Sequence, residues 1–125
     1  MGVHGSCHCG AVRIEVPAAP DWAADCNCSL CTKRGTLMAY YPASKVTVTG
    51  ATARYVWGDR LLDLHHCQTC GCPTHWSARP DALARDDLPD EVRVALTDRM
   101  GINARLLDGF DPEAIEIRKF DNRDL

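Results

Sequence analysis

Eight cysteines in a chain of 125 residues fall into three tight clusters: Cys7 and Cys9, then Cys26, Cys28 and Cys31, then Cys67, Cys70 and Cys72. Spacings of one and two residues suit metal ligation better than disulfide bridging. In an extended chain both side chains of a CxC point to one face, because side-chain direction alternates with period two. Tetrahedral zinc with Zn–S bonds of about 2.3 Å holds its sulfurs roughly 3.8 Å apart, a separation that two cysteines one residue apart reach without strain.

The redox setting supports the same choice. The start Met1-Gly2-Val3-His4-Gly5-Ser6 has neither the charged beginning nor the apolar run of a secretory signal, and no stretch approaches the length of a membrane span. The expectation is a cytoplasmic protein without membrane association, in which clustered cysteines act as ligands or nucleophiles. Met1-Gly2 followed by Ser6 also meets the loose myristoylation pattern, but no polybasic segment follows and one acyl chain anchors weakly.

The length predicts one domain over residues 1–125, and 46% hydrophobic residues supply a modest core. The formal charge is -3. Four thiolates on one zinc and three on another would take it to roughly -6, which disfavours nucleic acid as a partner. No feature specifies an oligomeric state.

Strand patterns dominate. Ala11–Val16 alternates apolar and polar residues and stops at Pro17; 17–25 reads as a loop anchored by Trp22. Further strands are predicted at 36–41, 45–49, 52–57, 61–66, 73–76, 91–96 and 115–120, with Gly58-Asp59 as a hairpin turn. Residues 79–90, bounded by Pro80 and Pro89, read as an excursion with at most one helical turn. Asp111-Pro112 resembles a cap and first helical position. Short turns between strands imply a mainly β, antiparallel domain.

Spacing also divides the cysteines. Cys67 and Cys70 form a CxxC followed by Gly71, which suits a knuckle turn. Pairing it with Cys28 and Cys31 would leave 35 residues between the halves, beyond the zinc-ribbon gap of about 15 to 20. The alternative is asymmetric. Cys26, Cys28 and Cys31 close on one ion by themselves, and Cys7, Cys9, Cys67 and Cys70 make a complete four-thiolate site. A closed four-thiolate site is structural, whereas three protein ligands leave a coordination position for water or substrate.

Three blocks of this chain, Ser6-Cys7-His8-Cys9-Gly10-Ala11-Val12, Cys26-Asn27-Cys28-Ser29-Leu30-Cys31-Thr32-Lys33 and Cys67-Gln68-Thr69-Cys70-Gly71, resemble the signature blocks of the glutathione-dependent formaldehyde-activating enzyme family. That family shares its domain with the centromere protein V group, and the resemblance extends into 102–109. It implies a β-tent fold of coiled antiparallel sheets. It also implies a structural zinc on Cys7, Cys9, Cys67 and Cys70, and a catalytic zinc on Cys26, Cys28 and Cys31. The activity implied is a carbon-sulfur lyase or synthase reaction that adds glutathione, or a related thiol, to formaldehyde or another small aldehyde.

A three-thiolate zinc is anionic, a weak Lewis acid, and this favours capture of a thiol over activation of a carbonyl. The alternatives for the triplet are a second structural zinc, as in a non-catalytic zinc-binding module, or a regulatory thiol cluster. Cys72, outside the seven-ligand pattern, is open to three roles: a core cysteine, a fourth ligand to the triplet's zinc, or a reactive thiol. Lys33 and Arg34 could meet a glutathione carboxylate or form a solvated basic pair. His8 is expected on a sheet surface. His65 and His66 are candidate ligand-orienting donors or bases, and His75 is expected to be structural. Trp22, Tyr40, Tyr41 and Trp57 read as core and pocket walls. Asn103 and Arg105 lie in the resembling block without an assignable role.

Overall fold

The computed structural model describes residues 2–123. Its strands are β1 (Val3–Ser6), β2 (Arg13–Val16), β3 (Trp22–Cys26), β4 (Met38–Tyr41), β5 (Thr47–Thr49), β6 (Thr52–Tyr55), β7 (Leu62–Cys67), β8 (Pro73–Ala78), β9 (Met100–Asn103) and β10 (Glu116–Phe120). Its α-helices are α1 (Ser29–Arg34), α2 (Pro80–Leu83) and α3 (Asp90–Thr97), with short 3-10 turns at Ala43–Lys45 and Ala104–Leu106. A small sheet has the order β1-β2-β5, and a seven-stranded sheet has the order β10-β3-β4-β9-β8-β7-β6. The fold is mainly β, as expected. Its pairings are antiparallel except for β10 beside β3, which is parallel in the register Glu116↔Trp22 to Phe120↔Cys26.

Alternation decides which face each strand buries. In β2, Ile14 and Val16 are buried while Arg13 and Glu15 are exposed. Ile14 and Val16 pack with Ile102 and Leu107 between the sheets. Ala23, Leu37, Ala39 and Ala104 form a second cluster, and Cys7, Val12 and Cys67 a third. Full burial of a residue such as Ile14 or Ile102 contributes about 1.5–3 kcal/mol. The small side chains of Ala23 and Ala24 leave β3 without a strong hydrophobic pattern.

Four sequence expectations change. Residues 22–25, predicted within a loop, belong to the strand β3, because pairing with β10 and β4 on both sides outweighs the weak β preference of Ala and Asp. Residues 91–96, predicted as a strand, lie within helix α3. Its second-residue alternation misleads, since Val94 is 76% exposed, while Val92 and Leu96, one helical turn apart, are half-buried. Pro89 precedes this helix, and Asp90 and Glu91 occupy its first turn, where negative charge is favoured. The hairpin at Gly58-Asp59 is longer than a two-residue turn, running from β6 at Tyr55 to β7 at Leu62. Finally, Asp111 organises a turn and no helix: its side chain accepts from the Glu113 N–H and its carbonyl from the Ala114 N–H. Strand β9 also escaped the sequence pattern, although it sits mid-sheet between β4 and β8.

Among the described residues no helix is long and apolar enough to cross a membrane.

Candidate metal centres

The two cysteine groups that spacing separates are the two that folding assembles. Cys7, Cys9, Cys67 and Cys70 present sulfurs within 4.8 Å of one another, and so do Cys26, Cys28 and Cys31. All eight cysteines are free thiols.

The four-cysteine centre joins two hairpin turns of one design. The Cys7 N–H donates to the Val12 carbonyl, and the Cys67 N–H to the Cys72 carbonyl. Each turn reverses at a glycine with positive φ, Gly10 at 81° and Gly71 at 80°, a backbone state in which a β-carbon costs roughly 1–2 kcal/mol. The Cys7–Cys9 pair therefore lies in a turn and not along an extended strand as predicted. Cys7 and Cys67 are buried, Cys70 is half-buried and Cys9 is exposed. Sulfur separations of 3.6 Å for Cys7–Cys9 and 3.7 Å for Cys9–Cys67 match the roughly 3.8 Å of a tetrahedral zinc site.

Backbone amides aim at these sulfurs. Val12 N–H donates to Cys7 Sγ at 3.3 Å, and Thr69 and Cys70 N–H donate to Cys67 Sγ at 3.3 and 3.5 Å. Backbone donors at Cys72 and Cys9 bring the Cys70 thiol down to about 5. Thiolate is thus the form this pocket favours there, which is the form a metal takes.

The triplet stands where β3 ends and α1 begins. Cys28 caps the helix, its sulfur accepting from the Cys31 N–H at 3.4 Å. Burial works against ionisation of Cys26, but the Asn122 side-chain amide at 3.4 Å, the Cys28 backbone and the two neighbouring thiols outweigh it and lower its pKa. Burial, then the proximity of Cys28 and Cys26, pushes Cys31 up to about 12. Without a cation the three sulfurs therefore do not all ionise together. Three soft donors at this separation fit a zinc ion, whose charge would hold them ionised.

Asn122 carried no signal in the sequence. Its backbone N–H donates to Asn27 Oδ1 at 2.6 Å, Asn27 Nδ2 donates to Asp121 at 2.9 Å, and the Asn27 N–H reaches the Phe120 carbonyl. The parallel strand β10 delivers this clamp to the triplet.

Cys72 belongs to the other centre. It packs against the Cys7, Val12 and Cys67 cluster. The His8 N–H acts to ionise it, but burial and the neighbouring Cys70 and Cys7 sulfurs prevail and raise its pKa. It is no ligand of the triplet in this arrangement.

The triplet opens into a cavity of about 600 Å³ on the seven-stranded sheet. Trp22, Met38, Tyr40, Leu64 and Trp76 supply its apolar floor, and Arg99, Asn103 and Asn122 also border it. The Tyr40 phenol, raised chiefly by burial, also feels Arg99 above its ring and the charge of Cys31 and Cys26. A second, more open recess shares Leu30, Arg34, Trp57 and Pro73 with the cavity and adds Lys33, Tyr55 and His66. Basic groups therefore gather on the α1 side of the triplet.

Most of the remaining candidates make hydrogen bonds within the fold. Arg34 donates to the His65 carbonyl at 3.3 Å. His65 bonds through both ring nitrogens, to Thr52 at 3.0 Å and Ser77 at 2.9 Å, and stacks on His75 with centroids 4.1 Å apart. His75 bonds to Thr74 at 2.9 Å, and burial, then His65, brings its pKa down to about 4. His8 is exposed in its turn. Asn103 Nδ2 donates to the Pro73 carbonyl at 2.9 Å, and Arg105 Nε to the Gly35 carbonyl at 3.0 Å, so the 103–105 segment braces the cavity floor and the end of α1. Tyr41 faces away from the cavity and donates to the Ala18 carbonyl at 2.9 Å.

Comparison with known proteins finds similarities to a family and to a solved structure. The sequence model for glutathione-dependent formaldehyde-activating enzyme matches residues 2–96. This span holds all eight cysteines and ends before the 102–109 block. A crystal structure of a Rhodobacter sphaeroides protein is 31% identical, covers 92% of this chain and 99% of its own, and superimposes with a TM-score of 0.68.

Proposed function

The chain belongs to the glutathione-dependent formaldehyde-activating enzyme family, and from that premise we propose that it is a zinc-dependent carbon-sulfur lyase or synthase joining a glutathione-like thiol to a small aldehyde. In this reading residues 1–125 form one zinc-binding domain. Cys7, Cys9, Cys67 and Cys70 hold a structural zinc, and Cys26, Cys28 and Cys31 hold a catalytic one. A reducing, cytoplasmic setting suits eight free thiols.

The observation that carries the proposal is the contrast between the two centres. One has four thiols packed between two turns; the other has three, at the edge of a cavity large enough for substrate. A zinc ion on the triplet would supply an open position that takes up a thiol as thiolate. The protein groups do the rest. Lys33, Arg34 and His66 give the carboxylates of a glutathione-like thiol a basic recess. The cavity beside it admits the aldehyde and limits water. The thiol sulfur then adds to the carbonyl carbon, the carbonyl electron pair moves to oxygen, and the oxygen takes the proton the thiol gave up.

The competing reading is a binding module with two closed metal sites. It needs a fourth protein donor at the triplet, and Cys72, the spare thiol, packs beside Cys7 and Cys67 instead. Exchange spectroscopy of glutathione and formaldehyde with catalytic amounts of protein tests the enzyme reading. We expect exchange faster than the uncatalysed rate and abolished in Cys28→Ser; an unchanged rate would remove the formaldehyde activity.

A further inference from the structure

Formaldehyde brings two heavy atoms to a cavity of about 600 Å³, a volume in the range that receives drug-sized ligands. The walls narrow the choice further. Trp22, Tyr40 and Trp76 follow one another across the sheet with ring centroids 5.7 and 6.0 Å apart, and Phe120 adds a ring 6.2 Å from Trp22. Tyr40, Gly101 and Trp76 stand directly opposite one another on β4, β9 and β8. A β-carbon at Gly101 would collide with the Trp76 indole. The glycine lets that indole lie over β9, and the floor becomes a row of aromatic rings tilted at 54° and 52° to one another.

Apart from the Arg99 guanidinium over Tyr40, such a floor has little to give an ionised tripeptide or a hydrated one-carbon aldehyde. It offers a flat apolar group extensive burial and favourable ring contacts. Of the groups that would hold carboxylates, Lys33 and His66 stand at the second recess and Arg34 stands between it and the cavity. A charged thiol is drawn there, and the aromatic floor is left to its reaction partner.

We propose that the electrophile of this site is an aromatic or comparably flat apolar aldehyde, bound on Trp22, Tyr40 and Trp76 with its carbonyl towards Cys26, Cys28 and Cys31. The inference rests on the thiol–aldehyde reading above and deepens it. The chemistry is the same balanced addition: a C–S bond forms, the carbonyl π bond breaks, and the thiol proton ends on oxygen. Neither oxidant nor reductant is required.

Benzyl alcohol, which carries the ring but cannot add a thiol, serves as the binding probe on the full-length, zinc-loaded protein. Benzaldehyde and formaldehyde, each with glutathione, serve as the kinetic pair. Benzyl alcohol is expected to quench tryptophan fluorescence saturably and to compete with benzaldehyde. The kcat/KM for benzaldehyde is expected to exceed that for formaldehyde by about tenfold or more. Trp76→Ala should erode that preference, and so should Phe120→Ala, whose side chain is 41% exposed on an edge strand, where folding is least at risk. Accelerated formaldehyde exchange without saturable benzyl alcohol binding, or with formaldehyde preferred, overturns the inference and leaves the thiol–aldehyde reading standing. Acceleration of neither exchange overturns that reading and the electrophile's role with it.

Discussion

Asn122 reaches Cys26 from 96 residues away, and its amide is a neutral donor to a sulfur that must be ionised to hold metal. Hydrogen bonds of this kind around a metal site are worth roughly 10–100-fold in affinity. Asn122→Ala is therefore expected to weaken metal retention at the triplet about tenfold while sparing the four-cysteine centre. Competition with a chromogenic chelator should resolve this as one faster phase and one unchanged phase; an equal change in both would assign Asn122 a global role. His75 supports a second prediction at this scale. Its buried imidazole has a folded pKa of about 4 against an ordinary 6.5. Between those values the unfolded chain binds the proton and the folded chain does not, so stability falls as pH drops through that window. The neutral ring's contribution is intact above 6.5 and is lost by about 4. Titration by NMR should find the ring still neutral at pH 6, and a midpoint near 6.5 would contradict this.

At the scale of elements, one side chain ties α2 to α3 within the excursion between β8 and β9. Arg93 on α3 donates to the Leu83 carbonyl at 2.9 Å, to the Arg85 carbonyl at 2.6 Å and to Asp90 at 2.8 Å. Arg93→Ala removes three charge-assisted bonds, two of them to carbonyls that close α2 against α3. The expected cost is about 1–3 kcal/mol, largely local. Amide exchange in 80–97 should quicken while bound zinc stays constant; loss of zinc would show that this excursion supports a metal centre. The misreading of 91–96 has its cause here too. Alternation of Val92, Val94 and Leu96 fits a strand and a half-buried helix equally well, and the contact that decides between them runs through a charged residue. Strand β3 was hidden for the opposite reason: Ala23 and Ala24 are buried on a central strand where small size matters more than β preference.

For the whole molecule, the two cysteine groups sit in different surroundings. Cys7 and Cys67 belong to the core and tie the first hairpin turn to the end of β7, whereas the triplet sits on one wall of a cavity. Cys7→Ser is expected to cost the fold several kcal/mol, since metal binding at a four-thiolate site that joins two distant turns is largely folding free energy. Cys28→Ser should lose one zinc equivalent and leave the protein folded. Metal analysis beside thermal unfolding checks both, and two variants that unfold alike would end the division of labour. The sequence alone determined that the cysteines have metal-ligand spacing, that a triplet stands apart from two pairs, and that the chain is mainly β. These are local properties, because ligand spacing and strand periodicity span a few residues and appear directly in the order of the chain. Only the tertiary structure decided that Cys72 lies beside the four-cysteine centre, that Asn122 supports Cys26, and that Trp22, Tyr40 and Trp76 make one floor. Those relations depend on strand order, and in particular on the parallel placement of β10 beside β3 and the insertion of β9 between β4 and β8. Strand order is set by the burial and hydrogen bonding of the assembled sheet, which no short stretch of the chain contains.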